Sequence, residues 1–126
     1  MPTDILRPLA WVGSSKKDYI GFPPDVQDDF GHLLHLVQVG TSEVLSAKPL
    51  SGGLLRGLGI MEMRSDHDGD TYRVVYLAKF AEIVYVLHAF QKKSTHGIAT
   101  PQREIEMVRV RYGMALEHYR RAVRPR

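Results

Sequence analysis

An unbroken apolar run near the middle of the chain places the strongest constraint on the fold. Residues 83–87 read Ile-Val-Tyr-Val-Leu, with no polar residue at alternate positions. A strand with this pattern is buried on both faces, so the sheet that contains it must be covered on both sides. Neighbouring segments are also rich in Val, Ile, Tyr and Met. We therefore predict an antiparallel three-strand meander formed by residues 58–64, 71–80 and 82–90.

Helical patterns lie on either side of this meander. Pro23-Pro24-Asp25 is typical of a helix start, and apolar residues then recur every three or four positions, which predicts a helix ending at Gly40. Thr100-Pro101 precedes a similar stripe and predicts a last helix. Residues 9–12 predict a first strand, 13–17 a turn, and 41–56 a loop or short helical piece.

Composition limits the class of protein. A chain of 126 residues with 44% hydrophobic and 25% charged residues fits one globular domain over residues 1–126, with a basic tail at about 120–126. Zero cysteines exclude disulfides, thiolate zinc sites and thiol nucleophiles. We expect no metal and no cofactor. The sequence shows no apolar run long enough for a membrane span and no signal peptide, so a soluble, cytoplasmic protein is expected.

Charge is distributed unevenly along the chain. Residues 1–91 contain 8 Lys and Arg against 11 Asp and Glu, whereas residues 92–126 contain 9 against 3. The basic final part predicts an anionic partner, and both RNA and an acidic protein segment satisfy that requirement.

Three motifs in a fixed order resemble a known family. They are Tyr72-Arg73-Val-Val-Tyr76, His88-Ala-Phe-Gln-Lys-Lys93 and Thr100-Pro101, with Lys48-Pro49-Leu50 upstream. Together they resemble the phage-derived, HigB-type branch of the RelE/ParE toxin superfamily, from about residue 30 to residue 116. The resemblance implies an α+β, RelE-like fold with a small antiparallel sheet in the order β-α-α-β-β-β-α. It also implies mRNA cleavage on the ribosome and a helix-turn-helix antitoxin as partner.

Two other functions remain open at this stage. ParE-type members of the superfamily act on gyrase without cleaving RNA, so the chain could be a non-enzymatic inhibitor that binds a protein. It could also be an inactive phage-derived relative. A fold does not by itself decide among these functions.

Candidate site residues follow from the chemistry of RNA cleavage, which needs proton transfer and cations beside the phosphate. We predict catalytic roles for Arg73, His88 and Lys93. The alternative for Arg73 is an ion pair with Glu62 or an aspartate of residues 66–70, and the alternative for His88 is a hydrogen-bonded core histidine. The residues predicted to bind RNA are Arg64, Lys92 and Lys48.

Three further groups have structural interpretations. The lysines at the end of the last strand are alternatively a solvated edge. The tyrosines at 72, 76 and 85 are expected to pack in the core. The acidic cluster Asp66-His-Asp-Gly-Asp70 is expected to form a hairpin turn and not a metal site.

Overall fold

A five-stranded sheet with helices on both faces forms the protein. The computed structural model describes residues 6–40, 47–92 and 100–123. The sheet order is β1-β5-β4-β3-β2. The elements are β1 (Leu9–Trp11), α1 (Ser15–Ile20), α2 (Pro24–Gln38), β2 (Ala47–Pro49), β3 (Ile60–His67), β4 (Asp70–Leu77), β5 (Val84–Lys92) and α3 (Gln102–Ala122). This architecture confirms the predicted α+β, RelE-like fold class.

The sheet is mixed and not wholly antiparallel. β2, β3, β4 and β5 pair antiparallel, whereas β1 pairs parallel with β5. The chain leaves β1 through two helices and returns to the same sheet by way of the meander. That long connection lets the two strands run in the same direction.

Each face of the sheet carries its own core, as the apolar run predicted. One core packs β3, β4 and β5 against α2, and the other packs β4 and β5 against α3. Successive side chains of a strand point to opposite faces, so both faces of β4 and β5 are covered. The residues of β5 that fill these cores include Val84, Tyr85, Val86, Leu87 and Ala89, all buried.

The predicted hairpin between β3 and β4 is confirmed. Asp68 and Gly69 connect the strands, with φ of 50° and 82°. Positive φ at both central residues is the geometry of a type I′ turn, for which Asp-Gly is a preferred sequence. The acidic cluster at 66–70 therefore forms the end of a hairpin.

Two local predictions were wrong. Residues 13–17 were expected to form a turn, but α1 begins at Ser15, directly after Gly13 turns the chain with a φ of 58°. Residues 41–56 were expected to form a loop or short helical piece. A short 3-10 helix does span Gly53–Leu55, but the prediction missed β2, which pairs with β3, and the Leu50 amide donates to the Ile60 carbonyl at 2.8 Å. Pro49 is tolerated there because β2 is an edge strand. Residues 41–46 lie outside the described residues.

A β-bulge in β5 determines to which face of the sheet the His88 side chain points. Val75 is paired with His88, but its neighbour Tyr76 is paired with Val86, so Leu87 is an extra residue on β5. Such a bulge breaks the alternation of side chains. As a result Leu87 joins the core beneath α3 and His88 also contacts residues of α3.

Within the three described ranges, no helix has the length and apolar character needed to cross a membrane.

Two glycines are expected to respond oppositely to substitution by alanine. Gly13→Ala places a Cβ 2.7 Å from Nε of the buried Arg111 in a left-handed conformation, and should lower the free energy of unfolding by about 2 kcal/mol. Gly113 lies within α3, and a Cβ there meets nothing within 4 Å. Gly113→Ala should raise the free energy of unfolding by about 0.5–1 kcal/mol. Urea denaturation of both variants at low protein concentration measures the difference, and equal signs would contradict the packing described for Gly13.

Candidate functional site

The register of the sheet brings the described candidate residues onto one face. Lys48 lies opposite Glu62, Arg64 opposite Arg73, and Lys92 opposite Thr71. Residues directly opposite each other point to the same side of a sheet, and so do residues two apart in one strand. This face, which we call the α3 face, therefore carries Lys48, Arg64, Arg73, His88 and Lys92. Lys93, the remaining predicted catalytic residue, lies outside the described residues.

Arg73 is buried and held by an ion pair. Its guanidinium Nη1 donates to Glu62 Oε1 at 2.9 Å and to Thr100 Oγ1 at 3.2 Å, and only 4% of the residue is exposed. The Thr100 hydroxyl donates in turn to Glu62 Oε2 at 2.9 Å. The Glu62 carboxylate therefore joins β3, β4 and the start of α3. The structure thus contains the ion pair with Glu62 that the sequence offered as the alternative role for Arg73.

His88 is also engaged at both ring nitrogens. Arg111 Nη1 lies 3.1 Å from Nδ1, and Glu104 Oε1 lies 2.7 Å from Nε2. A guanidinium can only donate, so Nδ1 must accept, and the proton of a neutral ring must then be on Nε2. Nε2–H donates to the Glu104 carboxylate.

Arg111 connects this histidine to the start of α1. Its Nη1 donates to the Leu87 carbonyl at 3.1 Å, and its Nη2 donates to Ser14 Oγ at 2.9 Å. The Ser14 hydroxyl donates to Asp18 Oδ2 at 2.8 Å. A continuous chain of hydrogen bonds therefore runs from Glu104 at the start of α3, across β5, to α1.

Other cations of the α3 face are more accessible. Lys48 is exposed on the edge strand, and 39% of the Arg64 side chain is exposed, 3.9 Å from the Asp66 carboxylate. Lys92 is half-buried at the end of β5. Exposed lysine and arginine side chains can neutralise phosphate groups without the cost of breaking a buried pair.

An open depression borders this end of β5. Its volume is about 440 Å³, and Phe22 and Phe90 contribute to its lining together with Lys17, Asp18 and His88. The His88 ring stacks on Phe90, with ring centroids 5.0 Å apart. The depression therefore combines aromatic surface with charged groups at the side of the sheet that faces α1.

The three tyrosines predicted to pack in the core do so. Tyr72, Tyr76 and Tyr85 are all buried. Burial raises the pKa of Tyr76 and Tyr85, so both phenols stay protonated at neutral pH. Neither phenol can act as a base there.

Glu104, Thr100 and Arg111 were not among the predicted site residues. For Arg111 a signal existed in the sequence. It lies three residues after Val108 and four before Ala115, both on the buried stripe of α3, so helical periodicity alone points it inward. Thr100 belonged to one of the motifs that carried the resemblance, but no site role was predicted for it. Glu104 gave no comparable signal, because acidic residues are common at helix starts for reasons of the helix dipole alone.

Among the described residues, no group of three or more His, Asp or Glu side chains is arranged to hold a metal ion.

The pair of Arg73 and Glu62 makes a testable contribution to stability. Arg73→Met should lower the free energy of unfolding by about 3 kcal/mol, because it leaves a largely buried carboxylate without its cation. The double variant Arg73→Met with Glu62→Met should lose less than the sum of the two single variants. Chemical denaturation of all four proteins gives the coupling energy. Additive losses would mean that the ion pair contributes nothing.

Comparison with known proteins identifies the family. The family described as phage derived protein Gp49-like (DUF891) matches residues 17–113, which include α2, the whole sheet except β1, and the first half of α3. No curated protein matches the chain. The matched segment contains the motifs that carried the resemblance, including Arg73, His88 and Thr100. Since the match covers most of the sequence, the chain belongs to the phage-derived Gp49-like family, a RelE-like family of toxin–antitoxin systems.

Proposed function

We propose that this chain is a HigB-type toxin that cleaves mRNA on the ribosome and thereby inhibits translation. The observation that carries the proposal is the shared face of Lys48, Arg64, Arg73, His88 and Lys92. These residues come from four strands, and only the register of the sheet brings them together. A face with several cations beside a histidine–carboxylate pair has the groups that cleavage of a phosphodiester requires.

The proposed reaction uses the RNA itself as nucleophile. The 2′-hydroxyl loses its proton and attacks the adjacent phosphorus, and the bond from phosphorus to the 5′-oxygen of the next nucleotide breaks. Glu104 is the proposed base that accepts the proton of the 2′-hydroxyl. Its carboxylate is oriented by the 2.7 Å hydrogen bond from His88. Lys93 is the proposed donor of a proton to the leaving oxygen.

The cations have separate proposed roles. The proposed phosphate-binding residues are Lys48, Arg64 and Lys92. When accessible cations such as these neutralise phosphates of the mRNA, the counterions condensed on the RNA are released, which favours binding. Arg73 is the proposed stabiliser of the charge that develops on the scissile phosphate. Its burial favours this role because a charge–charge interaction is stronger away from water.

The partner of this toxin is proposed to be a helix-turn-helix antitoxin. Burying the cations of the α3 face against an acidic or helical antitoxin segment would block access of phosphates. Ribosome and mRNA are the proposed targets, and the cytoplasm is the proposed location.

Expression without an antitoxin tests the reaction class. We expect growth arrest together with new 5′ ends inside translated mRNAs, mapped by primer extension, and no cleavage of the same mRNA when its start codon is removed. Arrest with intact mRNA and trapped complexes of gyrase on DNA would select the protein-binding alternative. Normal growth with folded protein present would select the inactive relative.

Variants of the histidine–carboxylate pair test the mechanism. His88→Gln and Glu104→Gln should each lower the cleavage rate by roughly 10²-fold or more, because Glu104→Gln removes the proposed base and His88→Gln removes the ring that orients it. His118→Gln is a matched control. His118 also forms a hydrogen bond from its ring, to the Tyr85 hydroxyl at 2.8 Å, but it lies in the last third of α3.

The control and the stability of each variant decide how the result is interpreted. The His118 variant should cleave at the wild-type rate, and thermal melting should show that all three variants are folded. A folded Glu104→Gln protein with unchanged cleavage would remove the assigned base from the mechanism.

A further inference from the structure

The outer face of α3 carries apolar side chains that the fold does not cover. Met107, Val110 and Met114 are 41%, 63% and 49% exposed. Val110 lies on the side of the helix away from the buried residues Val108 and Ala115, and Met107 and Met114 lie between that side and the buried stripe. The other large exposed apolar side chains are single residues on different segments, which is usual for a protein surface. Within the described residues, α3 is the one helix on which three lie together.

Gly113 lies beside this apolar surface, and no contact within the described chain requires a glycine at this position. It is exposed in the middle of a 21-residue helix, its φ is not positive, and an added Cβ would meet nothing within 4 Å. Glycine weakens a helix interior relative to alanine. An exposed helix position without a Cβ allows the backbone of another helix to approach closely.

The outer face of α3 is complementary to the same face of a second, antiparallel copy of the helix. Around Val110, Glu117 lies seven residues after and Arg103 seven residues before. Met114 lies four residues after and Met107 three residues before. Two copies of α3 that cross antiparallel at Val110 would therefore bring each methionine against the other methionine of the partner. Each Arg103 would lie opposite Glu117 of the second copy, so the dimer would contain two such contacts.

From this pattern we infer that a second copy of the chain packs on the outer face of α3, with a two-fold axis at Val110. A two-fold interface uses the same patch on both copies, so it requires the self-complementary arrangement that α3 has. An unrelated partner would not require Arg103 and Glu117 to be equidistant from the centre. Glu117 already contacts Arg120 and Arg121 within its own helix, at 2.9 and 3.1 Å, and these exposed pairs can rearrange at little cost.

The dimer is expected to be weak. Stable complexes bury about 800 Å² on each partner, which is more than one helix face with three apolar side chains provides. We expect a dissociation constant on the order of 10⁻⁴ M. The interface leaves the cations of the α3 face uncovered, since they lie on the side of the sheet that the inner face of α3 contacts.

Sedimentation equilibrium of the purified full-length chain tests the inference. The wild type should show a concentration-dependent monomer–dimer equilibrium. Val110→Glu should raise the dissociation constant by roughly 10-fold or more, because two carboxylates then meet at the axis. Ile20→Glu is the matched control, since Ile20 is 58% exposed on α1 and should leave the equilibrium unchanged.

Charge reversal tests the orientation of the two helices. Arg103→Glu and Glu117→Arg should each weaken self-association, because each places like charges opposite each other twice. Mixing the two variants should restore dimerisation as a heterodimer, and so should combining both substitutions in one chain. A parallel arrangement would not give this rescue, because Arg103 would then face Arg103 of the second copy.

Two results would overturn the inference. One is a wild-type chain that stays monomeric up to millimolar concentration. In that case, a Val110→Glu variant that also fails to bind the antitoxin would assign this face to an antitoxin helix instead. The other is a dimer that Val110→Glu and both charge reversals leave unchanged. Neither result depends on RNA cleavage, so the dimer and the proposed toxin activity are tested independently.

Discussion

The guanidinium of Arg111 is the contact on which the arrangement of this site depends. It lies on the inner face of α3, where it donates to a β5 carbonyl, to the His88 ring and to the Ser14 hydroxyl. A buried cation is costly unless its donors are satisfied, so these three acceptors, together with the core residues of α3, determine how α3 lies on the sheet. Gly13 is required for the same reason, since a Cβ at this position would occupy the space of the guanidinium. The position of Glu104, two turns earlier in α3, follows from this docking.

The bulge in β5 is the second constraint. Without the extra residue Leu87, regular alternation in β5 could not place both Leu87 and the next residue, His88, beneath α3. The bulge lets the strand fill the core with Leu87 and still present His88 to Glu104 and Arg111. The same strand therefore supplies apolar burial at one end and polar contacts at the other.

Local patterns in the sequence predicted most of the fold, and the errors have physical causes. The apolar run at 83–87 and the Asp-Gly turn identified the meander because burial and turn geometry are properties of short segments. β1 and β2 are three residues each, and their pairing is a property of the assembled sheet. α1 has six residues, too few for helical periodicity to be visible. The site was predicted in part. Arg73 and His88 were visible as polar residues within apolar strands, and Glu62 was named as an alternative ion-pair partner of Arg73. The contacts of Thr100 and Glu104 are determined by the docking of α3.

The basic residues concentrated in the last part of the sequence are not concentrated on one surface of the folded chain. Much of the positive charge of the last 35 residues belongs to α3, where Arg111 is buried, Arg109 lies over the Tyr112 ring at 5.6 Å, and Arg120 and Arg121 contact Glu117. These arginines point in several directions and do not form one basic surface. The cations that share a face come mainly from the strands, and they lie where α3 begins. α3 therefore acts on the site less through its charge than through its position, because Thr100 and Glu104 reach Arg73 and His88 where Arg111 and the core residues of α3 place the helix on the sheet. A partner that shifts α3 along the sheet would break both contacts at once, and could therefore control the site without contacting the cations of the strands.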